Sequence, residues 1–173
     1  MVKTFSFTSS LYDLKLRQTK RATVIDMQLT IPFVNTSDIP NTFSFLQTNY
    51  PSVLETQCFN DNNLPFSIEV SSTEIGHLFE HILIDELCSL KIKSGAKSAA
   101  YSGNTSWNWK INPYGSFQIW IDIGKNDFPM FLEALKTTTT LTQQLIQPGI
   151  NIQNLRATSL VTRESFNEIF AAP

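Results

Sequence analysis

Long apolar runs are missing from these 173 residues. A membrane-spanning helix needs about 20 consecutive apolar residues, so none is expected. The opening stretch MVKTFSFTSS lacks the apolar centre of a secretory signal, and the chain reads as soluble and cytoplasmic. Basic blocks are missing as well. Thirteen Lys and Arg against 15 Asp and Glu leave a net charge of −2, which argues against a nucleic-acid partner. Cysteine is scarce. Cys58 and Cys88 stand far apart and read as reduced thiols, because a bridge would require an oxidising compartment. There is no internal repeat, no low-complexity segment and no Gly-rich phosphate loop. Charged residues are only 16% of the chain, whereas 42% is hydrophobic with 13 Phe. That is too little charge for a disordered chain and enough apolar material for one packed core, so residues 1–173 read as a single domain.

Periodicity supplies the elements. ATVIDMQLTI at 22–31 alternates apolar and polar, the pattern of a strand. Ser37 or Asp38 can cap a helix with Pro40 early in it and Phe43, Phe45 and Leu46 on its apolar side. The polar FNDNN at 59–63 is a loop, and 66–70 reads as a short strand. A helix follows, with Ser71 and Glu74 at capping-box spacing and Gly95 at its far end. Strands at 98–110 and 115–123 are joined through INPYG as a hairpin. Asp127 and Pro129 open a helix to about 146, which Pro148 and Gly149 break, and a last helix runs from about 152 to 170. The threonines at 137–140 sit oddly in a helix, where β-branched residues lose rotamer freedom. This order predicts an α+β fold, a mostly antiparallel sheet with helices packed on one face.

The only two histidines lie in SSTEIGHLFEHILIDELCSL. On a helical wheel, Ile75, Leu78, Phe79, Ile82, Leu83, Leu87 and Leu90 form one broad core side. His77, Glu80 and His81 fall together opposite it. Histidines four apart lie one turn apart on one face, so both imidazoles can reach one ion. Glu80 is placed to accept a proton from a water that the ion activates. His-x-x-Glu-His is the inverted zinc-peptidase motif. A lone helical histidine is more often structural, but the pair and the glutamate together point to metal. Asp85, one turn beyond His81, either holds that imidazole's other N–H as a supporting carboxylate or faces water. Glu86 falls inside the apolar arc, where a charge needs a partner.

Zinc hydrolysis needs a third protein ligand and an open position. No third histidine exists, which leaves a carboxylate or a cysteine. Cys88 is too far along the same helix to converge. Glu164 in VTRESFNE is the first candidate, Glu168 one turn on the second, Glu133 the third. Each also reads as an ordinary solvated helix residue.

GHLFEH resembles the zinc helix of pitrilysin- and insulinase-type metallopeptidases. The resemblance implies a pitrilysin-type half-domain in which two histidines and a distant glutamate hold zinc. It gives Glu80 the role of base and Glu164 that of third ligand. YSGNTSW at 101–107 is similar to that family's substrate-holding strand, with Asn104 as its anchor. From about residue 20 to 147 the chain also resembles the N-terminal domain of cyanophycin synthetase, through ATVIDMQL, SDIPNTFSFL, YPSVLETQC and GHLFEHILIDEL. That resemblance implies a hydrolase of cyanophycin-like polymer, although SGNTSWNW stands where that family has an Arg-rich strand.

Two functions follow as expectations. The first is a zinc hydrolase of peptide or isopeptide bonds, with Tyr101, Asn104 and Tyr114 as candidate oxyanion donors. The second is a non-catalytic binding or assembly module, with Trp107, Trp109 and Trp120 as its surface. Strand alternation points Trp107 and Trp109 the same way. One small domain offers one wall of a cleft, whereas pitrilysin-type enzymes enclose substrate between domains. A homodimer is therefore expected.

Overall fold

Alternation starts earlier than residue 22. Tyr12, Leu14 and Leu16 are buried, and Asp13 and Lys15 between them are exposed. The computed structural model describes residues 3–58 and 64–170, with side chains for 4–58 and 64–153. It contains five strands, β1 (Lys3–Thr8), β2 (Tyr12–Gln18), β3 (Thr23–Leu29), β4 (Gly103–Ser106) and β5 (Ser116–Ile121). They form one antiparallel sheet in the order β1-β2-β3-β5-β4. The helices are α1 (Thr42–Asn49), α2 (Pro51–Glu55), α3 (Phe66–Glu69), α4 (Ile75–Lys93) and α5 (Phe128–Phe170), with a 3-10 turn at Thr36–Asp38.

The expected α+β class is observed. One sheet face is apolar and buried through Leu14, Leu16, Ile25, Met27, Phe117, Ile119 and Ile121. Helices α4 and α5 lie together, and their apolar residues join these in one core cluster. The other face is polar, with Arg17 bridging Asp26 and Gln118 donating to the same carboxylate. Gly76 lets α4 approach the sheet, because a Cβ there would come within 2.5 Å of the Phe117 ring.

The structure departs from the sequence reading in several places. Neither Ser37 nor Asp38 caps α1, whose N-cap residue is Asn41; both lie in the preceding 3-10 turn, where the Asn35 side chain accepts from Ser37 N–H. Residues 66–70 are not a strand; Phe66–Glu69 is a helical turn that buries Phe66 completely. Ser71 does not cap α4. Glu74 is its N-cap residue without a side-chain bond, and Ile75 N–H instead donates to the Val34 carbonyl. Only Gly103–Ser106 of the expected 98–110 strand pairs. Finally, α5 runs through Pro148 unbroken. Proline costs about 3 kcal/mol inside a helix, but here its ring faces solvent while Leu145 and Ile146 are buried before it. Gly149 follows, packed so closely that a Cβ would sit 2.9 Å from the Asp38 carbonyl oxygen. Tertiary packing outweighs the local break. At its other end α4 stops as expected: Gly95 has φ +99°, its N–H reaches the Ile92 carbonyl, and Ala96 N–H reaches Lys91.

The threonine run now has a structural context. Thr138 and Thr142 share a face of α5 and are wholly buried, and neither hydroxyl has a partner among the described residues. A buried hydroxyl without a bond is destabilising relative to a methyl of the same shape. Thr138→Val and Thr142→Val are each expected to raise stability by about 1 kcal/mol. Urea unfolding checks this, and a lowered midpoint would contradict it.

Candidate metal centre

Four segments deliver the site. The first is α4, which carries His77, Glu80 and His81. The second is the extended Thr56–Cys58 stretch leaving α2, held beside α3 by a Gln57–Pro65 bridge and by Phe66 N–H on the Thr56 carbonyl. Residues two apart on an extended chain point the same way, so Thr56 and Cys58 both turn toward the histidines. The third is α3, whose Phe66 ring stacks on His81 at 3.8 Å between centroids and meets His77 edge-on at 5.5 Å. The fourth is β4.

The donor atoms converge. His77 Nε2 is 3.2 Å from His81 Nε2 and 3.3 Å from Cys58 Sγ. One ligand atom from each residue lies within 4.8 Å of the others. The tautomer of His81 follows from its neighbour. The Thr56 hydroxyl spends its single proton on the Val53 carbonyl at 2.7 Å. Its oxygen, 2.7 Å from His81 Nδ1, must therefore accept from Nδ1–H. That leaves Nε2 of His81 with a lone pair aimed at the cluster. His77 Nδ1 is hydrogen-bonded to Thr73 Oγ1 at 2.8 Å. Burial pushes His81 down to about 3, with the charge of His77 adding to the effect. Burial also lowers His77, opposed by Glu69 and Glu74. Both imidazoles are thus neutral near pH 7, the form that binds metal.

Glu80 lies on the same cleft wall, only 6% exposed. Burial raises its carboxyl above the usual range, and a hydrogen bond from Thr105 opposes the rise. Gly103 makes room for it: a Cβ there would be 2.7 Å from Glu80 Oε1. The cleft has a volume of about 620 Å³, and its lining includes Thr56, Cys58, Tyr101 and Trp107 besides His77, Glu80, His81 and Ile84 of α4.

The other expected residues fall as follows. Asp85 does not hold His81; it accepts from Ser52 Oγ at 2.9 Å, and Thr56 takes the imidazole N–H. Glu133 is exposed on α5 and absent from the cleft lining. Glu164 and Glu168 lie outside the residues whose side chains are described. Asn104 lines the cleft through β4, but alternation with Gly103 and Thr105 sets it opposite Trp120 on the outer sheet face. The Tyr101 hydroxyl donates to Asp127. Tyr114 is exposed and stands away from the cleft, against Trp109. Trp109 is half-buried, with its indole N–H on the Ser116 carbonyl, whereas Trp107 stays 40% exposed at the cleft.

No family model matches the chain, and no curated protein matches it. The donor set must carry the functional reading. Two imidazoles and a thiol suit zinc better than a hard cation, which prefers oxygen. Thr56→Val would remove the acceptor for His81 Nδ1–H, together with the hydroxyl's bond to the Val53 carbonyl. It is expected to weaken zinc binding about 10- to 100-fold with the fold retained. Unchanged affinity in a chelator-competition titration would deny Thr56 this role.

Proposed function

We propose that this chain is a zinc-dependent hydrolase of peptide or isopeptide bonds. The observation that carries the reading is the convergence of His77 Nε2, His81 Nε2 and Cys58 Sγ beside a buried glutamate. Three protein ligands leave a tetrahedral site one open position, the pattern of catalytic rather than structural zinc. When bound, zinc lowers the pKa of water and polarises a carbonyl. His77, His81 and Cys58 would hold it, with Thr73 and Thr56 orienting the imidazoles. Glu80 takes the proton of the attacking water and returns it to the leaving amine. Burial raises its pKa, the direction that favours taking up a proton, and Thr105 holds the carboxylate by donating to Oε2.

The substrate side follows from β4. It is an edge strand along the cleft, so an extended peptide can add to it through main-chain hydrogen bonds. The resemblance of GHLFEH to the pitrilysin-type zinc helix supports the same reading, and that to the cyanophycin synthetase N-terminal domain suggests cyanophycin-like polymer as one substrate to test. The non-catalytic alternative rests on Glu69, whose carboxylate lies 3.6 Å from Cys58 Sγ. As a fourth ligand it would close the site. Incubation of the zinc-loaded protein with a mixed peptide library and with cyanophycin separates the two readings. Chelator-sensitive cleavage supports the hydrolase. Tight zinc with no cleavage of either supports the closed site.

A further inference from the structure

Among the described residues the sheet has two free edges. One, β4, borders the cleft; the other is β1. Natural edge strands are guarded by a bulge, a proline or an inward charge. β1 has no bulge and no proline, and its single charge, Lys3, stands at the very end of the strand. Its register with β2 runs unbroken from Lys3–Gln18 to Thr8–Asp13, and residues 4–8 hold neither proline nor charge. Its apolar side chains are uncovered as well. Phe5 and Phe7 are 38% and 41% exposed, although their cross-strand partners Leu16 and Leu14 are buried. The Phe5 ring meets Phe128 of α5 at 5.3 Å, and one turn along that helix Leu132 is 41% exposed. An apolar strip therefore runs out of the core along an unpaired edge.

The residues of that edge read Thr4-Phe5-Ser6-Phe7-Thr8, the same in both directions. We propose that β1 pairs antiparallel with β1 of a second copy about a two-fold axis at Ser6, giving a homodimer with one ten-stranded sheet. In this register each Ser6 faces its own counterpart, each Phe5 faces a Phe7, and each Thr4 faces a Thr8. No like charges meet, and all four phenylalanines fall on the helix-bearing face. A slip of one residue would put the two helix layers on opposite sides and leave the rings uncovered. The palindrome is what selects a second copy over a foreign strand, since a two-fold contact must be self-complementary. The clefts lie at the two far ends of the joined sheet, so this pairing does not enclose substrate, unlike the dimer expected from the sequence.

Sedimentation velocity on three proteins tests the pairing. Wild type should run at twice the 19.6 kDa chain mass. Ser6 is exposed on the polar face, so Ser6→Lys and Ser6→Glu should fold, which circular dichroism checks. Each should be monomeric, because like charges would meet at the axis. An equimolar mixture of the two should regain the dimer mass. A monomeric wild type, dimeric single variants, or a mixture that stays monomeric would each overturn the proposal.

Discussion

Glu80→Gln keeps the metal and loses hydrolysis by about 100-fold or more. Gln has nearly the same size and can still accept the hydrogen bond from Thr105, so the cleft wall is preserved. What it lacks is proton affinity. Glu80 is not among the converging donors, and zinc affinity should stay within about threefold of wild type, well short of the tenfold loss that marks even an outer-shell partner. Metal analysis and peptide cleavage on one preparation read both quantities. A Gln variant that cleaves as fast as wild type removes Glu80 from the reaction. One that has lost its zinc makes Glu80 a ligand.

Cys58→Ala has the second large effect. Removing even an outer partner of a metal ligand costs about 10- to 100-fold in affinity, so removing a ligand itself is expected to exceed about 100-fold. The sequence reading placed a carboxylate in this position, Glu164 first. The two assignments separate cleanly by chelator-competition titration. If Cys58 is the third ligand, Cys58→Ala loses zinc and Glu164→Ala changes affinity little. The reverse order would return the ligand to the last helix.

The histidine helix was legible because its chemistry is local. His77, Glu80 and His81 are set by a 3.6-residue period, and Gly95 marks its own helix end. β3 and β5 were legible through two-residue alternation. Cys58 was not, because it reaches the histidines across 19 residues by a turn at α3 that reads as a strand. The apolar pair Phe66 and Ile68 fits a strand period, yet Phe66 is buried under the imidazoles and Ile68 is 61% exposed. Thr56 carries no signal at all until its hydroxyl is seen to be committed to Val53. The wheel also misjudged exposure. It set Glu80 and His81 opposite the core, but β4 and α3 cover that side and leave them 6% and 7% exposed. The β1–β2 hairpin escaped notice because its turn has no Asn-Gly or Asp-Gly signal. Ser9 closes it instead, accepting from Leu11 and Tyr12 N–H.

Calorimetric titration of zinc into chelator-stripped protein tests the metal centre most directly. One zinc per chain should bind tightly to wild type, and the transition should vanish in both His77→Ala and His81→Ala. Wild-type protein that takes up no zinc, or that binds it equally well without either histidine, would contradict the metal centre and the hydrolase built on it.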